Sequence, residues 1–291
     1  MTYRITHKTT YQYTRPVSFG NHAALLKPRS QPQSVCRWNE LRIVPAPATR
    51  SDRIDYFGNY VTIFTIQEPH ETLEIEARSE VTLYGDPAPW PKDSPPWDKI
   101  AKSLPFEITP EAIDACQFVF ESPRIPTGAE FASYAVPSFA PGRPLAEALL
   151  DLTERIYADF RFDPEATGVR TSPGDVLLHR RGVCQDFAQL EIACLRSLNL
   201  PARYVSGYLR TLPPPGSPRL AGADASHAWV SVYCPGAGWL DVDPTNNLAP
   251  PASHVTVAWG RDYGDVCPVR GVILGGRDHT LEVAVDMEPV D

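Results

Sequence analysis

Three side chains in the second half of the chain could together perform acyl transfer. Cys184 follows a glycine and a valine at the expected start of a helix. The amide groups at that end carry roughly half a positive charge, which favours the thiolate and lowers a thiol pKa. A thiolate that attacks a carbonyl also needs a base and a group that orients the base. His227, at the start of a predicted strand, and Asp243, at the end of the next strand, supply these types.

Each of these residues also has an ordinary interpretation when its segment is taken alone. Cys184 could be a small buried hydrophobe, His227 a half-buried histidine, and Asp243 the first residue of an Asp-Pro turn. The two strands would form a hairpin closed by residues 235–238, which puts His227 and Asp243 at the same end. Ideal pairing leaves them about three residues out of register, or roughly 10 Å apart, so contact requires a bulge or an asymmetric loop. Asp241 is a competing carboxylate on the same strand face.

The elements that must position these residues begin with an N-terminal domain over residues 1–85. Apolar and polar side chains alternate there, with many Thr, Val, Ile and Tyr residues, which is typical of half-buried strands. The clearest runs lie at residues 3–8, 40–43, 60–66 and 72–83. Several strands without a helical period predict an antiparallel β-sandwich.

Residues 86–143 form a proline-rich segment, since twelve of the 31 prolines lie between Pro87 and Pro144. Proline lacks the N–H that helices and sheets need and stiffens the chain, so this segment is predicted to be a connector with short helices. One such helix is expected over Pro110 to Cys116, entered at Thr109. A proline-rich docking ligand is the alternative.

Residues 144–291 change first to a helical period and then to strands. Apolar residues recur at helical spacing from Leu145 to Phe160, and a second helix, apolar nearly all round, is expected from Gly182 to Leu198. Strand patterns follow at residues 202–209, 226–234, 239–243, 254–258 and 280–285. This order predicts an α+β protein whose second unit packs the helix bearing Cys184 on an antiparallel sheet.

Composition excludes several classes of protein. The formal charge of −8, without a cluster of Lys and Arg, argues against nucleic-acid binding. An apolar fraction of 43% is that of a globular protein. No apolar run is long enough to span a bilayer and the first residues do not form a signal peptide, so we expect a cytoplasmic protein with no membrane partner. The six cysteines include no Cys-x-x-Cys pair, which argues against a cysteine metal site.

Four segments together resemble the transglutaminase-like superfamily of cysteine acyl-transfer enzymes, whose catalytic core is shared with papain-like proteases. The matching segments are Arg181 to Asp186, Leu200 to Tyr208, His227 to Trp229 and Trp239 to Thr245. The opening, Tyr3 to Arg29, and the tail, Trp259 to Val266, are similar to bacterial proteins in which such a core follows a dedicated N-terminal β domain. The resemblance therefore implies a papain-like or transglutaminase-like core and covers the chain except for about residues 86–143.

The resemblance implies a role for each residue of the triad. Cys184 would be the nucleophile, His227 the general base and acid, and Asp243, directly before Pro244, the group that holds the imidazole tautomer. The backbone N–H of Cys184 would meet the oxyanion. A second donor is not evident, because the glutamine of papain-type enzymes, six positions before the cysteine, is here Leu178.

Four more residues are candidates for supporting the site. Asp186 belongs to the resemblance, and we interpret it as a helix cap, since an acid is favoured in the first turn. Tyr157, Tyr208 and Trp229 could line the cleft or simply pack in the core. A second group of prolines, from Pro213 to Pro218, predicts a stiff segment at the lip of the cleft.

The resemblance implies a cofactor-independent enzyme that acts on amide bonds of peptide or protein substrates through a thioester. We expect hydrolysis, as in a cysteine protease or amidase, because bacterial members of the superfamily are generally described in that way. One alternative is a protein-glutamine transglutaminase, in which an amine resolves the thioester. Another is a non-catalytic binding or scaffold protein that has kept the core.

Overall fold

The computed structural model describes residues 1–84, 90–210, 225–250 and 254–290. The chain begins with the strands β1 (Thr2–Ala24), β2 (Ser34–Val44), β3 (Thr49–Ile54), β4 (Tyr60–Ile66) and β5 (His70–Leu83). The middle contains α1 (Trp97–Ser103), α2 (Pro110–Cys116), α3 (Ala129–Ala135), α4 (Leu145–Asp159), β6 (Arg161–Phe162), α5 (Pro173–His179), β7 (Arg181–Gly182) and α6 (Cys184–Ser197). The last part contains β8 (Ala202–Leu209), β9 (Ala225–Cys234), β10 (Gly238–Val242), β11 (His254–Gly260), α7 (Tyr263–Val266), β12 (Val269–Gly275) and β13 (His279–Pro289).

The first five strands form one curled antiparallel sheet around β1. The strand order is β2-β5-β1-β4-β3, and β12 and β13 complete seven strands by pairing with β1 as well. Alternate residues of β1 are buried, which is the half-buried pattern that the sequence indicated. The predicted α+β class, with an N-terminal antiparallel β unit, is confirmed, although its strands belong to a single curled sheet.

The two C-terminal strands belong to the N-terminal sheet, whereas the sequence pattern assigns them to the catalytic core. We placed residues 144–291 in one core, but β12 pairs with β1 from Val17 to Ala24, and β13 pairs with β1 from Tyr3 to Tyr13. Both edges of β1 are paired: β12 and β13 lie along one edge, and β4 and β5 lie along the other. The N-terminal sheet is therefore built from both ends of the described chain.

A four-stranded antiparallel sheet in the order β10-β9-β8-β11 carries α6 on one face. Ala228, Val230 and Val232 of β9 are buried on the face that packs with α6. Helix α6 is buried on nearly every side from Asp186 to Arg196, as its all-round apolar sequence predicted. Asn199, with φ of 59°, lies just beyond the end of the helix.

The proline-rich middle contributes to the core as well as connecting two units. Phe118, Phe131 and Phe139 are almost completely buried. The predicted helix from Pro110 to Cys116 is confirmed as α2, and the Thr109 side chain caps it by accepting the N–H of Ala112. The prolines from Pro213 to Pro218 lie outside the described residues. Within the described ranges, none of the helices has the length and apolar character that crossing a bilayer requires.

Candidate active site

The first turn of α6 fixes the position of Cys184, which is half-buried. Asp186 Oδ2 accepts the N–H of Val183 at 2.8 Å and the hydroxyl of Thr167 at 2.6 Å. Burial raises the pKa of Asp186, and these two donors oppose that effect. A Cβ on Gly182 would lie 2.7 Å from Asp186 Oδ2, so the close approach of this cap requires glycine. Asp186 therefore caps the helix that presents the thiol.

The hairpin formed by β9 and β10 determines the positions of the His227 imidazole and the Asp243 carboxylate. Cys234 pairs with Gly238, so the loop contains residues 235–237, one residue fewer than the sequence interpretation assumed. Gly236 and Gly238 have φ of 81° and 80°, a conformation that glycine adopts without steric cost. This loop shifts the register of the whole hairpin by one residue.

The shorter loop puts His227 and Asp243 on the same face of the sheet. The register is unbroken to Val242 opposite Val230, and one further step places Asp243 opposite Trp229. The offset from His227 is therefore two residues, a diagonal that long side chains can bridge. The expected offset of three would have put the two side chains on opposite faces. In the structure His227 Nε2 lies 2.7 Å from Asp243 Oδ2.

Asp243 is a fully buried carboxylate surrounded by donors. Its Oδ2 lies 2.7 Å from His227 Nε2, 3.1 Å from His254 Nε2 and 2.7 Å from Asn246 Nδ2. Its Oδ1 accepts the backbone N–H groups of Thr245 at 2.9 Å and Asn246 at 3.3 Å. Burial would raise the pKa of Asp243, but the hydrogen bonds from His227 and His254 hold it well below its usual range. The carboxylate is therefore ionised at every physiological pH.

His227 connects this carboxylate to the thiol. Burial alone would lower the pKa of His227, but hydrogen bonds with Asp243 and with Cys184 raise it to about 10. Since Nε2 contacts Asp243, Nδ1 is the ring nitrogen left for Cys184. The structure thus bonds the imidazole of His227 to the carboxylate of Asp243 and places the Cys184 thiol close enough to raise the pKa of the same ring.

Trp229 lies beside this chain and contacts the competing carboxylate. Its ring stacks on that of His227 with centroids 6.2 Å apart, and its Nε1 donates to Asp241 Oδ2 at 3.2 Å. Asp241 thus bonds to the tryptophan, while Asp243 bonds to the histidine.

Two other supporting candidates lie elsewhere. The buried hydroxyl of Tyr208 is 3.1 Å from His7 Nδ1, so this tyrosine joins the core sheet to β1 of the N-terminal sheet. Tyr157 is 53% exposed on α4.

Three residues near the triad were missed by sequence reasoning. His254 starts β11 and reaches Asp243 because β11 pairs with β8, a tertiary contact with no signal in sequence spacing. Asn246 closes the turn after Asp243, and the short Asp-Pro-Thr-Asn run could have indicated it. Tyr204 on β8 is buried, and burial together with the nearby Cys184 raises its pKa well above the usual value.

His227, Asp243 and His254 each have a side-chain atom that could bind a metal ion. These atoms lie within 4.8 Å of one another, a spacing that metal sites also show. Ligands of a tetrahedral zinc ion, with bonds of about 2.0–2.1 Å, lie about 3.3 Å apart. The distances of 2.7 Å and 3.1 Å to the shared Oδ2 are shorter and match hydrogen bonds. We therefore interpret the three side chains as a hydrogen-bonded network.

Comparisons with known proteins agree with the geometry. Residues 133–244 match the family model of the transglutaminase-like superfamily, and residues 3–82 match that of the bacterial transglutaminase-like N-terminal region. An uncharacterised Mycobacterium tuberculosis protein is 41% identical over 99% of this chain and 93% of its own length. A Pseudomonas aeruginosa protein-glutamine gamma-glutamyltransferase is 36% identical over 36% of this chain and 16% of its own length. A solved Cytophaga hutchinsonii structure, described as a candidate cysteine protease, matches with a TM-score of 0.76 at 23% identity, over 100% of this chain and 92% of that one.

Proposed function

Because the chain belongs to the transglutaminase-like superfamily, we propose that it is a thiol enzyme that cleaves amide bonds of peptides or proteins through Cys184, His227 and Asp243. The observation that carries the proposal is the hydrogen bond between His227 and the buried carboxylate of Asp243, with the Cys184 thiol near enough to raise the pKa of the same imidazole. A scaffold protein has no need for a buried, ionised carboxylate that is bonded to the imidazole nearest a thiol. The non-catalytic alternative is therefore the weaker one.

Each step of the proposed reaction uses one of these groups. His227 takes the thiol proton, and its imidazolium is stabilised by Asp243. The thiolate attacks the amide carbonyl. The backbone N–H of Cys184 lies in the first turn of the helix, where N–H groups have no acceptor within the helix, so it can donate to the oxyanion. His227 then gives its proton to the leaving nitrogen, the C–N bond breaks and a thioester remains. Water attacks the thioester carbonyl as His227 takes a proton from the water. The C–S bond then breaks and His227 returns the proton to the sulfur, which gives the acid and the free thiol.

Amine transfer is the second candidate for the last step. The local likeness to the Pseudomonas aeruginosa gamma-glutamyltransferase supports it, since an amine would then replace water as the acceptor. The fold shared with the candidate cysteine protease is compatible with both outcomes. Hydrolysis is our preferred reading because water needs no binding site of its own.

A peptide-library digest tests the proposal and separates the two chemistries. The purified protein is incubated with the library in the presence and absence of a primary amine, and products are analysed by mass spectrometry. Cleaved or deamidated peptides indicate hydrolysis, whereas peptides that carry the amine indicate transfer. The matched control is Cys184→Ala, which should abolish every product. Equal product from the wild-type protein and Cys184→Ala, or no product from either, would refute the proposed function.

A further inference from the structure

A cavity of about 700 Å³ lies between the N-terminal sheet and the core sheet, on the face of the core sheet opposite α6. Residues 30–34 and 83–84 form one wall. The other wall includes Trp229, which stacks on His227, and His254, which bonds to Asp243. The cavity therefore approaches the triad from the side of its carboxylate, and its volume lies within the range of small-molecule sites, roughly 300–1,000 Å³.

The base of this cavity contains an arginine whose charge has no ion-pair partner among the described residues. Arg203 is 7% exposed, and its Nε has no hydrogen-bond partner in the described part of the chain. Its guanidinium carbon lies 4.0 Å from the ring centroid of Trp239 and 3.8 Å from that of Trp259. The two rings cover the faces of the guanidinium, so only its N–H edge is left for a ligand.

A buried N–H without an acceptor is costly, since the Nε of Arg203 loses water and gains no hydrogen bond. Burial lowers the pKa of Arg203 to about 9, and the nearby charge of Asp241 acts in the opposite direction. Asp241 also lines the cavity, but its Oδ2 accepts the Trp229 N–H. The site thus combines an unsatisfied cationic edge with aromatic walls.

We propose that this cavity binds the carboxylate of a peptide C-terminus or of a small organic acid, held by the N–H edge of Arg203. Arginine presents parallel N–H donors that match the two oxygens of a carboxylate. The cavity is larger than one carboxylate, so the body of the ligand would lie against other lining side chains such as Tyr84 and Trp229. The site does not depend on the chemistry of Cys184, and its test is independent of the proposed function.

Binding is tested first with the unaltered protein. The probes are N-acetyl-alanyl-alanine and hexanoate, each compared with its amide, and the readouts are titration calorimetry and tryptophan fluorescence. We expect at least one acid to bind saturably below about 10 mM and its amide to bind at least tenfold more weakly. Binding of the peptide acid alone identifies a peptide C-terminus as the ligand, and binding of hexanoate identifies small acids. Equal binding of acid and amide, or no binding by either acid, overturns the proposal.

Two variants then test the assignment to Arg203. Arg203→Lys keeps the charge but loses the parallel donors, and we expect at least tenfold weaker binding of the acid. Asp241→Asn removes a negative charge from the cavity, and we expect tighter binding by about three- to tenfold. If Arg203→Lys does not fold, Asp241→Asn decides the question. Unchanged affinity in Arg203→Lys, or in Asp241→Asn, overturns the assignment.

Discussion

Replacing Asp243 by asparagine tests whether the buried carboxylate sets the protonation state of His227. The contact of 2.7 Å with Asp243, together with Cys184, raises the pKa of His227 to about 10, so the ring is an imidazolium at pH 6.5. In Asp243→Asn the negative charge is gone, and burial lowers the pKa of His227 without a carboxylate to oppose it. An amide N–H placed against Nε2 would also turn that nitrogen into an acceptor and move the ring proton to Nδ1, facing the thiol.

The size of the effect follows from the two protonation states. The difference between 6.5 and about 10 corresponds to about 5 kcal/mol, shared between the interactions of His227 with Asp243 and with Cys184. Free cysteine, with a pKa near 8.5, is about 1% thiolate at pH 6.5, which sets the upper limit of the effect. An imidazolium beside the thiol stabilises the thiolate, which is the reacting form. We therefore expect alkylation at Cys184 to be slower in Asp243→Asn at pH 6.5, by up to about 100-fold.

The assay is the rate of iodoacetamide labelling of Cys184, followed by mass spectrometry of its peptide from pH 5 to pH 9.5. The ratio of the two rates should grow as the pH falls below 8.5, and the two proteins should converge near pH 9.5. Cys36 is the internal reference, since burial raises its pKa and it lies in the other sheet. Asp241→Asn is the matched control, because that carboxylate bonds to Trp229. A rate in Asp243→Asn within about threefold of wild type at pH 6.5, or an equal loss in Asp241→Asn, would refute the reasoning.

Three further predictions address neighbouring groups. His254→Phe keeps a ring but removes the donor 3.1 Å from Asp243 Oδ2, and should lower kcat/KM on a peptide found in the digest about tenfold; full activity would show that His254 is dispensable. Burial raises the pKa of Glu191 to about 8, so its contribution to stability is complete below pH 4.5 and is lost as the pH rises through 8. Urea unfolding should show Glu191→Gln gaining up to about 5 kcal/mol over wild type between pH 5 and pH 9, and a pH-independent difference would contradict this. Thr109→Ala should cost about 1 kcal/mol in the same assay, because it removes the cap of α2, and an unchanged midpoint would contradict the capping role.

Several elements with a buried face were predictable from sequence, and the mostly exposed strands β3 and β12 were not. The bounds of β8 and α2 agree with the sequence patterns, because burial of one face imposes a period on the residues. Strand β3 is exposed along its whole length, and β12 is mostly exposed. Their strand character comes from pairing with β4 and β1, so their sequences carry little alternation.

The candidate site was predictable in its residue types but not in its geometry. Cys184, His227 and Asp243 could be selected from their segments and from the family resemblance. Their contact depends on a loop of residues 235–237, since one more residue would turn Asp243 to the other face. His254 could not be selected, because it reaches Asp243 through sheet pairing between distant segments.

The pairing of β1 with β13 also determines the order in which the molecule can be assembled. Tyr3 lies opposite Pro289, so the N-terminal sheet cannot be completed until the last strands leave the ribosome. Until then one long edge of β1 is unpaired, and such an edge is a template for aggregation. Every residue of the candidate site is synthesised after β1 and before β12 and β13. Closure of the sheet therefore occurs only in chains that already contain the whole core, and chains cut before β12 would keep the exposed edge.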